Sequence, residues 1–164
     1  MAAGLSAEWR PLETYASLPG LTQLLCSRGL DGSKALLFSQ AANRLLQQGA
    51  SPTAPAAAFW VPGRVEVLGK HTDYAGGRSI LGAVSRGFAL LVLPRDDACC
   101  RFFASFALAG TREETSFELG SCGAAEESGW AKYPRVAARR LARNFRLRQG
   151  VDVALECDLP EASG

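Results

Sequence analysis

Three polar side chains with complementary hydrogen-bonding abilities lie in the glycine-punctuated stretch Val61–Ser79. They are Arg64, His71, which is the only histidine of the chain, and Asp73. A polyol needs donors and acceptors at fixed angles. A guanidinium donates, a carboxylate accepts, and an imidazole does either according to its tautomer. An arginine can also hold the negative charge that develops in phosphoryl transfer. The stretch therefore predicts a site for a polyol.

The glycines of this stretch favour a binding loop at the end of a strand. Gly63 and Gly69 allow the backbone to turn and to approach a ligand without an intervening Cβ. His71, Asp73 and Tyr74 follow the predicted strand, and loops on a rigid scaffold commonly carry binding groups. Each residue alone also has an ordinary explanation, because a lone histidine near a turn is more often a satisfied structural residue.

The composition is that of a globular domain and argues against several functional classes. Of the 164 residues, 48% are hydrophobic and 21% are charged, with a net charge of +2. This is enough for one core and too little charge for bulk nucleic-acid binding. No apolar run reaches the roughly 18 residues of a membrane span, and no secretory signal is recognised. The five cysteines form no C-x-x-C pair, so we expect free thiols, no metal site and a cytoplasmic protein.

The elements that hold the loop are predicted from hydrophobic periodicity. Leu18–Ser27 and Ser33–Gln48 are predicted to be helices, with Ser33 as an N-cap and Gly49 as the C-terminal glycine. A connector rich in proline and alanine is expected over residues 50–58. Short β-prone strands follow at Phe59–Val61, Val65–Leu68, Ile80–Leu81, Arg86–Leu93, Arg101–Ala107 and Glu114–Leu119.

A long helix and a last strand complete the pattern. The helix is predicted over Gly129–Arg148. The strand Val151–Cys157 alternates apolar residues with Asp152 and Glu156, so one of its faces is expected to be buried. Strands followed by a helix and a further strand indicate an α+β fold. The apolar residues that recur on one face of the helix are Trp130, Tyr133, Val136, Ala137, Leu141 and Phe145.

The same predicted helix carries a row of arginines that could be interpreted as an RNA-binding face. A solvated helix surface is the better explanation, because no aromatic platform or groove-reading motif accompanies the row. We therefore expect neither a nucleic-acid partner nor a membrane partner. The RNA alternative predicts binding that weakens steeply with salt. The arginines are Arg135, Arg139, Arg140, Arg143, Arg146 and Arg148.

The stretch Val61–Gly77, VPGRVEVLGKHTDYAGG, resembles the signature of galactokinases, in the GHMP small-molecule kinase superfamily. The likeness continues at Pro94–Asp97, similar to a turn of the family, and at Trp130 with Tyr133, similar to a family helix start. So many matching positions in one window are more specific than a short motif. Those in the window are Pro62, Gly63, Arg64, Val65, Gly69, His71, Thr72, Asp73, Tyr74, Gly76 and Gly77.

The resemblance implies an α+β fold of the GHMP-kinase N-terminal domain type, which is ribosomal-protein-S5-domain-2-like. Residues 1–58 are then a helical extension and linker, and residues 59–164 are the incomplete sugar-binding part of that domain. The resemblance further implies that this chain is the N-terminal part of a longer kinase and ends before the phosphate-loop helix and the second domain. We expect such a chain to be inactive alone.

The implied reaction is ATP-dependent phosphorylation of a sugar hydroxyl, with Mg²⁺ as cofactor and galactose or a related monosaccharide as substrate. Ala162, Ser163 and Gly164 are implied to begin the nucleotide cradle, in which backbone N–H groups face phosphate oxygens. No resident metal ligand is assigned.

The resemblance also implies roles for the residues of the loop. Arg64 is the implied catalytic residue, stabilising the transferring phosphoryl group, and it also contacts the sugar. His71 and Asp73 are implied to bind sugar hydroxyls, with Tyr74 beside them. Lys70 is the implied fifth substrate-binding residue.

Lys70 departs from the family pattern, which has a glutamate at this position. An ammonium only donates hydrogen bonds, whereas a carboxylate accepts them, so one sugar contact is reversed and the identity of the sugar stays open. The departure also supports an alternative of another class, a non-catalytic sugar-sensing protein on the same fold. Turnover with none of a panel of hexoses and pentoses would favour the sensor.

Overall fold

One mixed sheet organises the residues that the structure, a computed structural model, describes: 8–69, 71–120 and 129–160. Its strands are β1 (Trp9–Pro11), β2 (Pro55–Leu68), β3 (Ile80–Pro94), β4 (Cys99–Phe106), β5 (Thr111–Glu118) and β6 (Val151–Cys157). In the described residues they pair in the order β1-β2-β3-β6-β4-β5. Strands β4 and β6 run parallel and the other pairs are antiparallel. The predicted α+β class is confirmed.

The helices are α1 (Glu13–Ala16), α2 (Leu18–Ser27), α3 (Ala35–Gln47) and α4 (Lys132–Phe145). Helix α2 has its predicted bounds. Helix α3 begins later than predicted, because a 3₁₀ turn over Gly32–Lys34 precedes it. The predicted cap at Ser33 is wrong: Ser33 donates its backbone N–H to the Asp31 side chain at 2.8 Å, so the capping group is the carboxylate. None of the described helices is long and apolar enough to cross a membrane.

Helices α1–α3 pack on one face of the sheet. Phe38 and Leu45 of α3 are buried in one cluster with Leu91 of β3 and Ala154 of β6. This cluster draws on residues from both sides of the domain boundary predicted at residue 58, and that boundary stays a prediction. The layer of helices therefore fixes the two central strands, β3 and β6, and β3 is one of the two strands that carry the site.

Strands β2 and β3 are each continuous where the sequence analysis predicted two short strands. The register of β2 against β3 shifts between Pro62 and Arg64, where the single residue Gly63 faces three residues of β3, 84–86. This marks a β-bulge at Gly63 whose extra residues belong to β3. Proline and glycine interrupt the alternating pattern at the bulge, and this is why one long strand looks like two in the sequence. The predicted connector over residues 50–58 is too long, because β2 already begins at Pro55.

Strand β6 has its predicted bounds, but the expected single buried face is wrong. Asp152 is only 7% exposed and Glu156 only 6% exposed. The strand lies between β3 and β4 and is covered on both faces. Asp152 is tolerated there because Arg95 and Arg101 both donate hydrogen bonds to its carboxylate, at 3.0 and 2.7 Å.

Helix α4 covers the outer strands on the face opposite α1–α3. Ala138 and Ala142 pack against the cluster around Phe117. Because side chains alternate along a strand, Cys100 and Phe102 of β4 belong to this cluster, whereas Phe103 belongs to the core on the other face. The helix ends where Arg146 adopts a left-handed conformation with φ 51°, earlier than predicted. Its predicted apolar face points outward, and the exposed members are Tyr133, Val136, Ala137, Leu141 and Phe145.

Candidate sugar site

The predicted site lies on the long hairpin of β2 and β3. Arg64 of β2 pairs with Ala83, and Leu68 pairs with Ile80, so residues 69–79 close the hairpin. The Arg64 side chain is exposed. Each strand residue adds about 3.3 Å, so Leu68 lies about 13 Å along the strand from Arg64. The hairpin therefore carries the arginine on its strand and the histidine at its tip.

The closing loop is folded around the carbonyl oxygen of Gly69. This oxygen accepts hydrogen bonds from the Thr72 backbone N–H at 3.0 Å and from the Thr72 hydroxyl at 2.7 Å. The Ser79 hydroxyl donates to it from the other end of the loop, at 3.0 Å. The Gly77 N–H donates to the Thr72 carbonyl oxygen at 2.8 Å. Both ends of the loop are thus fastened by the protein's own groups.

Two residues at the start of the loop have left-handed backbone conformations. Gly69 has φ 92°, and a Cβ there would lie 2.5 Å from the Arg78 carbonyl oxygen, so only glycine fits. His71 has φ 62°. A non-glycine residue in this region costs about 1–3 kcal/mol, and such residues cluster at functional sites. The backbone therefore singles out His71 within the loop.

The side chains of His71 and Tyr74 stack on each other. Their ring centroids lie 5.6 Å apart with an interplanar angle of 14°. The 3₁₀ turn over Thr72–Ala75 sets this spacing. Both side chains are exposed, so the pair presents ring faces together with the polar edge of an imidazole and a phenol.

The structure places the predicted sugar-binding residues unequally. His71 and Tyr74 are in contact, and the backbone of Asp73 lies between them in the 3₁₀ turn. In the described part of the chain, no hydrogen bond or ring contact joins Arg64 to His71 or Tyr74, and their convergence on one ligand stays a prediction. Lys70 lies outside the described residues.

The predicted nucleotide-binding residues Ala162, Ser163 and Gly164 also lie outside the described residues. The chain that leads to them is anchored at Asp158, directly after β6. Asp158 Oδ1 accepts a hydrogen bond from the Gly87 N–H at 2.6 Å, and the Asp158 N–H donates to the Gly87 carbonyl oxygen at 3.2 Å. The exit of β6 is therefore paired with β3 beyond the last regular strand residue.

Lys34 completes the anchor from the helical layer. Its Nζ lies 2.8 Å from Asp158 Oδ2 and 5.2 Å from the centroid of the Trp60 ring. Partial burial raises the pKa of Asp158. The hydrogen bonds from Lys34 and Gly87 together lower the pKa by more than burial raises it, so it lies below its usual range. This ion pair is not predicted from the sequence. An acidic residue directly after a buried strand was the available clue for Asp158, and no pattern connects it to Lys34.

The exit of β6 also touches the strand that carries Arg64. A Cβ at residue 63 would lie 2.5 Å from Leu159 Cδ2 and 3.0 Å from Val84 Cγ2. Leu159 therefore packs directly on the bulge that precedes Arg64. The sequence analysis assigned Gly63 to ligand approach, whereas in the structure a leucine of the same chain fills this space.

Comparison with known proteins connects this hairpin to one family. Residues 49–94, which include β2, β3 and the loop that joins them, match the family model for the galactokinase galactose-binding signature. Galactokinases from Chloroflexus aggregans and Actinobacillus pleuropneumoniae are 37% identical over 104 residues and 32% identical over 106 residues. These alignments cover 63% and 64% of this chain. They cover 25% and 27% of the relatives, so the chain spans about a quarter of the length of the curated relatives it matches.

The fold also resembles a solved galactokinase. The crystal structure of Lactococcus lactis galactokinase complexed with galactose superposes with a TM-score of 0.53 and 22% sequence identity. The superposition covers 65% of this chain and 27% of the other. At this identity the likeness bears on the fold alone.

Proposed function

We propose, on the premise that this chain is galactokinase-like in sequence and fold, that it supplies the sugar-binding part of an ATP-dependent sugar kinase. The whole protein phosphorylates a hydroxyl of galactose or a related monosaccharide. The fold is proposed to be that of the GHMP-kinase N-terminal domain. Because the chain spans about a quarter of its relatives, the activity is assigned to the whole protein.

One observation carries the proposal: a loop that is already folded lies inside the matched signature. The Gly69 carbonyl oxygen and its three donors hold the loop, and His71 is presented from a strained backbone. A binding loop that is ordered before the ligand arrives avoids the cost of ordering on binding. This supports the loop around His71 and Asp73 as the place where sugar hydroxyls are held.

The proposed chemistry is an in-line phosphoryl transfer. A bond forms between the sugar hydroxyl oxygen and the γ-phosphorus of ATP. The bond from that phosphorus to the β–γ bridging oxygen breaks, ADP leaves with that oxygen, and the hydroxyl proton is released to water. His71 and Asp73 orient the sugar, and Arg64 stabilises the charge on the transferring group. Positioning and electrostatics supply most of the rate in such reactions.

ATP and magnesium enter the proposal as the second substrate. Ala162, Ser163 and Gly164 are proposed to begin the cradle for its phosphates. The described residues contain no group of three or more His, Cys, Asp or Glu side chains that could hold a metal ion. No step of the proposal therefore runs through a metal that these residues bind.

A sugar-sensing protein is the second candidate, and Lys70 favours it. An ammonium stands where the resemblance leads us to expect a carboxylate, so one acceptor for the sugar is replaced by a donor. Altered or lost turnover with retained sugar binding would be the result of that exchange.

The test is ATP consumption by the full-length protein with a panel of hexoses and pentoses, together with calorimetric titration of each sugar. We expect turnover with at least one sugar and a fall of at least tenfold in kcat/KM for Asp73→Asn. Asp96→Asn, an exposed aspartate in the β3–β4 turn, is the control and should be unaffected. Binding without turnover identifies the sensor. The absence of both sugar binding and turnover would reject both functions.

A further inference from the structure

We propose that Asp158 and Lys34 are positioning residues that hold Arg64 in place by fastening the exit of β6 to β2 beside the bulge at Gly63. The importance of Arg64 rests on the proposed function. The fastening itself rests on contacts in the structure and can be tested without any activity.

The first connection runs through Gly87. On one side Gly87 pairs with Pro62 of β2, two residues before Arg64. On the other side it exchanges two hydrogen bonds with Asp158. A Cβ on residue 87 would collide with the Val61 carbonyl oxygen, so the two backbones lie in close contact. A displacement of Asp158 therefore passes to Pro62 with no side chain between them to absorb it.

The second connection is the contact of Leu159 with Gly63. Leu159 follows Asp158 directly, and its Cδ2 occupies the space in which a Cβ of residue 63 would lie. Gly63 is the residue between Pro62 and Arg64 at the bulge. Asp158 is thus connected to Pro62 through a hydrogen-bonded strand and to Gly63 through the leucine beside it.

Lys34 fixes this arrangement to the rigid layer of helices. It lies in the turn before α3, whose side chains belong to the main core. The Lys34 side chain is 13% exposed and that of Asp158 is 23% exposed. Removing one partner leaves the other charge partly desolvated and unpaired, which favours movement of the β6 exit toward water.

A small shift at Arg64 is sufficient to affect catalysis. A displacement of about 1 Å in a positioning group can cost a factor of about 100 in rate. The His71 loop is fastened by its own hydrogen bonds, about 13 Å along the strand from Arg64. Loss of the anchor should therefore affect kcat more than the part of sugar affinity contributed by that loop.

The experiment compares four variants of the full-length protein. Asp158→Ala removes both contacts of the carboxylate, one with the Gly87 N–H and one with Lys34. Asp158→Asn keeps an acceptor for the Gly87 N–H and removes the charge. Lys34→Met removes only the partner charge, whereas Lys34→Arg keeps a positive charge at this position. Glu114→Ala, which breaks the ion pair with Arg44 on another surface, is the matched control.

Hydrogen exchange resolved to single amides and steady-state kinetics give the readouts. We expect Asp158→Ala to accelerate exchange at least tenfold at residues 63–64 and 87 and to lower kcat at least tenfold. Asp158→Asn and Lys34→Met should have smaller effects, and Lys34→Arg should behave as the parent. Glu114→Ala should change none of these quantities. If Asp158→Ala does not fold, the two milder variants carry the same comparison.

Unchanged exchange at residues 63–64 in every variant would overturn the inference, whatever the kinetics. Hydrogen exchange that accelerates equally across the whole protein, with an unchanged kcat per folded molecule, would also overturn the inference. A purely structural ion pair would give this result. Absence of kinase activity in the parent protein would reject the proposed function, while the exchange measurement would still decide the fastening.

Discussion

Leu159 packs against the backbone of Gly63, so the exit of the last strand and the strand that presents Arg64 are in direct contact. A Cβ at residue 63 would lie 2.5 Å from the Leu159 Cδ2 atom and 3.3 Å from the Arg86 carbonyl oxygen. Gly63 does not have a positive φ. The position therefore requires glycine for space and not for backbone freedom.

This contact predicts the behaviour of Gly63→Ala. The added methyl group overpacks the site, and we expect a loss of about 1–3 kcal/mol in the free energy of unfolding. Leu159→Ala alone should also destabilise the protein. The double variant should be more stable than the sum of the two losses predicts, because the smaller side chain makes room for the methyl group. Urea unfolding measures all four free energies, and strict additivity would show that the two residues are not in contact.

The loop predicts a sharp difference between two glycine substitutions on the same hairpin. Gly69→Ala places a Cβ 2.5 Å from the Arg78 carbonyl oxygen at φ 92°. We expect a loss of about 1–3 kcal/mol from backbone strain alone and at least tenfold weaker sugar binding. Gly82→Ala is the control, because its Cβ would make only an ordinary contact with Val65 at 3.6 Å. Equal effects of the two variants on calorimetric sugar binding would argue against the loop as the binding element.

Lys70 predicts a gain of function on substitution. If Lys70 faces the sugar, Lys70→Glu restores an acceptor and should raise galactose affinity. A hydrogen bond to a charged group contributes about 1.5–3 kcal/mol, which corresponds to about 10- to 100-fold in Kd. Lys132→Glu on α4 makes the same change of charge at an exposed position away from the hairpin. Calorimetric titration with galactose measures the effect, and unchanged or weaker binding by Lys70→Glu would mean that Lys70 does not face the sugar.

The raised pKa of Glu156 predicts that replacing this residue with glutamine increases stability in a pH-dependent way. Burial raises the pKa of this carboxyl, while the Ser105 hydrogen bond and the charges of Arg112 and Arg44 lower it by less. The folded state thus holds the proton more tightly, so the contribution of Glu156 to stability is complete below its ordinary pKa and is lost as the pH rises through the raised value.

Glu156→Gln keeps the neutral form at every pH. It should raise Tm at about pH 7, by about 2–4 °C for each kcal/mol gained, and the gain should vanish at pH about 3, below the ordinary pKa of a glutamate. Glu113→Gln, an exposed carboxylate on β5, is the control for the loss of charge. Thermal unfolding followed across this pH range measures the difference. A gain of equal size at both ends of the range would show that burial of the charge is not its cause.

The sequence predicts those parts of the fold that depend on local pattern. Helix α2 and strand β6 have their predicted bounds because a periodic apolar pattern and clear ends define each one. Strand β2 looks divided in the sequence because Pro62 and Gly63 resemble an interruption, and only the pairing with β3 shows that the strand continues past a bulge. The burial of Asp152 depends on two arginines more than 50 positions away, which no local pattern reveals.

The candidate site divides in the same way. A dense run of glycines and polar residues marks the loop around His71, because loop geometry is encoded within a few residues. The anchor at Asp158 was not predicted, because its partners Gly87 and Lys34 are distant in sequence and join it only when β3, β6 and α3 pack together. Local patterns in the sequence therefore predict the loop proposed to bind the ligand, but not the contacts between distant residues that fasten the exit of β6.

The most direct measurement of the central claim is ³¹P NMR of the full-length protein with MgATP and galactose or the other sugars of the panel. The proposed function predicts a new sugar-phosphate resonance that grows in step with ADP, and that grows at least tenfold more slowly with Asp73→Asn. ATP signals that stay constant with every sugar, from a protein shown to be folded, would contradict it.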